Sequence, residues 1–166
     1  MDIPRDVRLV DWAHWKPSEW ANLCFVMKDG QILLIRKKRG LGAGKINGPG
    51  GRLEPGETAE QAAVREVQEE LGVTPTGLEK IGELFFQFMD DYRLHVVVFR
   101  ADDCEGELIE TNEAAPLWTD VDKVPYEEMW EDDPYWLPLV MARRKFRGYF
   151  IFDGSAMQSH RVEMLP

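Results

Sequence analysis

The chain has 166 residues, 44% of them hydrophobic, with 20 Lys and Arg against 30 Asp and Glu for a formal charge of −10. That length and apolar share exclude a disordered chain and fit one compact domain with a real core. The acidic balance argues against a binder of long nucleic acids, whose affinity comes from neutralising phosphates, and no run of 18 or more apolar residues marks a membrane-crossing helix.

Residues 1–19 read as a polar arm carrying Trp12 and Trp15, with no predicted element, ahead of a single domain over 20–166. The opening stretch MDIPRDVRLVDW lacks the apolar run of a secretory signal. Cys24 and Cys104 are therefore expected as free thiols in a cytoplasmic protein. A strand over 21–27, a turn at Lys28-Asp29-Gly30-Gln31 and a strand over 32–36 form a hairpin. Gly40, Gly42 and Gly44 mark a loop, and Gly48-Pro49-Gly50-Gly51 and Pro55-Gly56 break regular structure again.

A helix follows. Thr58 and Gln61 make a capping-box pair, Ala59, Ala63, Val67 and Leu71 supply a core stripe, and Gly72 closes the last turn. Glu66, Glu69 and Glu70 share one side of it at i, i+3 and i+4, expected to lie opposite the alanines. Carboxylates so placed repel one another. They are either a solvated acidic face or a site for a hard cation, which takes oxygen ligands and is commonly shared with substrate phosphates.

Further on, strands over 81–89 and 92–100 pair around Asp90-Asp91, a short strand covers 117–121, a second helix 135–145 and a last strand 148–152. Arg143, Arg144, Lys145 and Arg147 are expected to complement the end of that helix rather than to form a nucleic-acid patch. His14, His95 and His160 are too dispersed for a zinc site. Hairpin-paired strands with two interspersed helices predict an α/β/α sandwich on a mixed, largely antiparallel sheet.

The spacing Gly51, five residues, Glu57, seven residues, Arg65-Glu66-Val67-Gln68-Glu69-Glu70-Leu71-Gly72-Val73 is a complete Nudix box, and the chain resembles the Nudix hydrolases. The resemblance implies the same sandwich and hydrolysis of a nucleoside diphosphate linked to a further group, with Mg²⁺ or Mn²⁺ as cofactor. It implies Glu66 and Glu70 as metal ligands, Glu69 adding a contact directly or through water, the Gly50 carbonyl as a backbone ligand, and Glu113 as a remote carboxylate. Gly51, Glu57 and Arg65 are implied as structural, Arg65 pairing with Glu57. The base that activates water is left open among the box acids and Glu113.

The segments 37–51, 82–88, 129–139 and 145–150 are similar to the MutT-homologue branch, which degrades oxidised purine nucleoside triphosphates such as 8-oxo-dGTP. That similarity implies Asn47, Trp130, Asp132 and Asp133 as base-reading residues, Phe86 as an apolar wall, and Lys37 and Asn22 near substrate. Asn22 stands where the branch commonly has threonine, and Leu41 where it has phenylalanine. The residue types suit a purine. Trp130 can stack on a base, Asn47 offers a donor and an acceptor, and adjacent acids in an apolar pocket keep a proton between them. The alternative is structural: Asp133-Pro134 also reads as a helix cap, and Trp130 as core.

The expected protein is a monomeric hydrolase of small nucleotides, with no polymeric nucleic acid or membrane partner. Other nucleoside diphosphate compounds, and a binding module without turnover, remain alternative readings. Cys24, in an apolar strand, is expected in the core rather than as an isomerase's site cysteine.

Overall fold

The computed structural model describes residues 2–166. Its first long strand, β1 (Glu19–Lys28), turns through Asp29 and Gly30 into β2 (Gln31–Lys37). Both turn residues have positive φ, 53° and 74°, the conformation that matches the twist of a two-residue hairpin. Short β3 (Ile46–Asn47) and β4 (Gly50–Arg52) carry the chain to α1 (Ala59–Leu71). After α1 come β5 (Thr74–Thr76), β6 (Glu79–Phe88), β7 (Arg93–Ala101), β8 (Asp103–Glu105), β9 (Ala114–Asp120), α2 (Asp133–Met141), β10 (Phe146–Asp153) and β11 (Ala156–Met164).

The main sheet runs β11-β10-β6-β7-β1-β2-β3, with β4 paired to β1 and β9 to β2. β1 runs parallel to β7 and β10 parallel to β6, while the other pairings of this sheet are antiparallel. Because side chains alternate along a strand, β1 gives Phe25 to one core and Cys24 and Val26 to the other. The first core is closed by Trp136, Leu137 and Val140 of α2, the second by Ala63, Val67 and Leu71 of α1. Helices on opposite faces of a mixed, largely antiparallel sheet make the expected α/β/α sandwich. Cys24 and Cys104 are both free thiols, Cys24 fully buried. Among the described residues no helix is long and apolar enough to cross a membrane.

Several expectations need correction. The second helix spans 133–141 rather than 135–145. It ends because Arg143 adopts φ 57°, Arg143 N donates to the Val140 carbonyl and Arg144 N to the Leu139 carbonyl, the paired bonds of a Schellman stop. A left-handed residue that is not glycine gave no signal. The basic cluster therefore lies beyond the helix, and its terminal carbonyls on Val140 and Met141 are instead met by Arg100 of β7 (2.8 and 2.9 Å). The strand expected over 148–152 is longer, and β11, too polar to read as a strand, pairs along it from Phe146↔Met164 to Asp153↔Ala156.

The arm also takes a defined path. A short 3-10 turn at Val7–Leu9 is followed by Trp12, whose ring lies 5.0 Å from that of Tyr149 on β10. Val7 N donates to Ser159 Oγ on β11, and Trp15 Nε1 donates to Gln87 Oε1 on β6.

Candidate active site

α1 begins where the sequence says it should. Thr58 Oγ1 accepts from Gln61 N, the Gln61 side chain accepts from Thr58 N, and Gly72 closes the helix in a left-handed conformation. The acids are not simply opposite the core stripe. Ala62, Glu66 and Glu70 follow each other at four-residue steps, each turned only about 40° from the last, and Ala62 and Glu70 are buried. This row faces β4, where the backbone comes very close. A β-carbon on Gly51 would lie 2.5 Å from the Glu66 carboxyl carbon, and one on Gly50 would lie 2.1 Å from the Asn22 carbonyl oxygen. Glycine is the residue that permits both approaches.

Gly50 N donates to Glu70 Oε1 at 2.8 Å. Glu113, from the loop before β9, joins the same place, so that Glu66, Glu70 and Glu113 offer carboxylate oxygens all within 4.8 Å of one another. Burial, with Glu66 and Glu113 adding like charge, pushes the Glu70 carboxyl up to about 8 against the Gly50 hydrogen bond. Burial also raises Glu66, although Arg65 opposes it. Three converging carboxylates are a poor arrangement alone and a good one around a hard divalent cation. The donor set fits such an ion.

Glu69 stands apart from this group. It lies about 100° round the helix from Glu70, half exposed, and its Oε2 accepts from Arg65 Nη1 at 3.1 Å. Arg65 also donates to both oxygens of Glu57 (2.6 and 2.9 Å), to Glu66 (2.8 Å) and to the Arg52 carbonyl (3.1 Å). The expected Arg65–Glu57 pair is present. Arg65 holds Glu57 well below the usual carboxylate range, tying the loop before α1 to the helix.

The acid group opens into a cavity of about 420 Å³. Asn22, Lys37, Asn47, Phe86, Trp130, Asp132 and Asp133 all line it, as do Gly50 and Gly51. Asn22 Nδ2 donates to the Gly51 carbonyl, while among the described residues its buried Oδ1 finds no partner. Burial lowers the Lys37 ammonium from its ordinary value, with Glu70 opposing.

At the other end, Trp130 stands edge-on to Phe152 at 5.6 Å, with the Lys45 ammonium 5.4 Å from its ring. Asp132 and Asp133 are both buried. The helix-cap alternative fails for this pair: Asp133 is the first helical residue, and Asp132 before it makes no side-chain cap bond. Instead Asp132 Oδ2 accepts from Trp136 Nε1 at 2.7 Å. Burial raises both acids, and the adjacent Asp132 carboxylate lifts Asp133 further. Phe88, Tyr92 and Leu94, not singled out from the sequence, complete the apolar wall, and Arg39 and Arg52 stand with Lys37 among the cavity's cations. Alternation along the 81–89 and 92–100 strands was the signal that could have found Phe88 and Leu94 once Phe86 was placed.

Clustered acids beside an aromatic-walled cavity that ends in a buried carboxyl pair make a site suited to a hydrolase of nucleotide phosphates. Residues 18–140 match the NUDIX domain, and the chain belongs to the NUDIX family of hydrolases, which generally use a divalent metal. A Danio rerio protein described as an oxidized purine nucleoside triphosphate hydrolase is 49% identical over 148 residues, covering 88% of this chain and 95% of that one. A Mus musculus protein of the same description is 41% identical over 137 residues, 82% and 88% of the two chains. The crystal structure of a mutator MutT protein from Bacillus halodurans superposes with a TM-score of 0.79 at 26% identity, covering 87% of this chain and 97% of that one.

Proposed function

We propose that the protein hydrolyses oxidised purine nucleoside triphosphates, 8-oxo-dGTP foremost, to the nucleoside monophosphate and pyrophosphate, and so cleans the nucleotide pool. The observation that carries this reading is the single cavity joining Glu66, Glu70 and Glu113 to Trp130, Asp132 and Asp133. The relatives described as oxidized purine nucleoside triphosphate hydrolases support it.

In this reading Trp130 stacks on the purine, Phe86 walls its pocket, and Asn47 gives its edge a donor and an acceptor. Within the Asp132–Asp133 pair, the acid that retains a proton donates it to an acceptor on the base while the other accepts from a donor. That pattern fits the edges of both oxo-guanine and hydroxy-adenine. The Asn22 Oδ1 takes a donor from the nucleotide, and Lys37 pairs with phosphate. Glu66, Glu70 and Glu113 would hold Mg²⁺ or Mn²⁺, with the Gly50 carbonyl as a backbone ligand and Glu69 contributing at most through water. When bound, the ion neutralises phosphate charge and makes its water a better nucleophile. Arg65 and Glu57 keep the loop and helix in register, so that the phosphate chain and the attacking water meet in line. Water attacks the anhydride between the α- and β-phosphates, that bond breaks to give nucleoside monophosphate and pyrophosphate, and one acid among the box glutamates and Glu113 takes up the water proton.

We read the protein as a monomer acting on free nucleotides in the cytoplasm. The test is kcat/KM for 8-oxo-dGTP against dGTP, ADP-ribose and a dinucleoside polyphosphate, with Mg²⁺ supplied and products identified. Preference for 8-oxo-dGTP with release of pyrophosphate is the expected result. A preference for either of the last two would overturn the substrate assignment.

A further inference from the structure

The NUDIX match begins at residue 18, leaving the tryptophan-bearing arm without a role. Its path follows the back of the substrate cavity. Phe86, Phe88 and Leu94 of the β6–β7 hairpin face the cavity. Alternation turns Phe85, Gln87, Arg93 and His95 to the other side. The core under α1 reaches only as far as Val97 on β7, so this end of the hairpin lies beyond the helix's cover.

The arm takes over there. Trp15 packs edge-on against Phe85 with centroids 6.0 Å apart, and its Nε1 donates to Gln87 Oε1 at 2.9 Å. Gln87 is buried and sits between the two cavity phenylalanines. Its Nε2 donates to the Phe88 carbonyl at 2.9 Å and to Asp91 Oδ1 at 3.2 Å, in the hairpin turn. The following arm residues hold β7: Arg93 Nη1 donates to the Lys16 carbonyl (2.8 Å), Ser18 N to the Arg93 carbonyl (2.8 Å), and Arg93 N to Ser18 Oγ (3.1 Å). Tyr92, whose ring reaches the cavity, donates from its hydroxyl to Glu19 Oε2 at 3.1 Å.

We infer that the arm is a back plate for the purine-binding wall, and that Trp15 and Gln87 are positioning residues that set affinity for the base without entering the cavity. The inference rests on the substrate reading above. Fixing the hairpin in advance spares the bound purine the cost of ordering Phe86, Phe88 and Leu94. Glu66, Glu70 and Glu113 lie on α1 and the loop before β9, outside the hairpin, so the chemical step is separate from the latch.

Trp15→Phe keeps an apolar ring and removes the donor, and Gln87→Leu removes the acceptor together with the two bonds from Nε2. Each is expected to raise KM for 8-oxo-dGTP about three- to ten-fold, the worth of one buried hydrogen bond with its orphaned partner, with kcat within about two-fold. The double variant should be no worse than the worse single variant, since neither partner is then stranded. Calorimetric binding of 8-oxo-dGMP without a divalent cation should weaken by the same factor, and melting temperatures report the fold. Unchanged KM and unchanged product binding in the folded variants overturn the inference, as does a fall in kcat alone. Because product binding is read without turnover, an inactive parent protein counts against the proposed activity and leaves the latch to be judged separately.

Discussion

Gly51 lies against Glu66 so tightly that a methyl group on the glycine would fall 2.5 Å from the glutamate's carboxyl carbon. The strand and the helix therefore meet at the carboxylate, and the missing side chain fixes where the acid stands. Gly51→Ala should displace Glu66 by a fraction of an ångström to an ångström and lower kcat/KM by about 10²-fold. Weaker Mn²⁺ binding, followed by electron paramagnetic resonance, should accompany it. Activity within a few-fold of the parent would show that the contact is slack.

The acids on α1 divide by direction. Glu66→Gln and Glu70→Gln should each cost about 10²- to 10⁴-fold in kcat with a folded protein. Glu69→Gln, which removes only one acceptor from Arg65, should stay within about ten-fold. Steady-state rates at saturating Mg²⁺ check the ranking, and equal losses at all three positions would contradict the geometry.

For Asp133→Asn the expected loss is in recognition. The amide still donates but no longer shares a proton with Asp132, and KM for 8-oxo-dGTP should rise about ten-fold or more with kcat less affected. Asp132→Asn also disturbs the bond from Trp136 Nε1 and should lower the melting temperature as well. An unchanged ratio of 8-oxo-dGTP to dGTP in both variants removes these acids from base reading.

Glu83 gives a stability prediction far from the acid cluster. Its Oε2 lies 2.6 Å from His95 Nε2, and this bond, with Lys80, lowers the carboxyl to about 2 from an ordinary 4.5. The folded state thus releases the proton more readily than the unfolded chain. The stabilisation is fully present above about pH 4.5 and is lost as pH falls through about 2, with a slope of at most about 1.4 kcal/mol per pH unit from this group. Urea unfolding across that window should show a shallower acid slope in Glu83→Gln than in the parent.

The sequence carried the acidic half of the site better than the fold around it. The box from Gly51 to Val73 is contiguous, so the helix, its cap and its acids could be read locally. Glu69 shows the limit of that reading: three acids share a side by spacing, yet only the approach of β4 and Glu113 decides which of them converge. The far end of the cavity depends on contacts made across the sheet. Tyr92 and Leu94 become wall residues only when β6 and β7 pair in the register Phe86↔Leu94. The stop of α2 at Arg143 and the polar strand β11 lacked the residue types that announce such features. The arm's tryptophans could be seen, but their partners Gln87 and Tyr149 lie 72 residues and more away.

The three cations along the cavity, Lys37, Arg39 and Arg52, sit on a molecule whose overall charge is −10. An approaching polyphosphate is repelled at a distance and attracted only in the last several ångströms. Salt weakens both effects at once, so capture of an anionic ligand should vary less with ionic strength than these three cations alone imply. Discrimination against other anions in the medium then falls to the cavity's inner contacts.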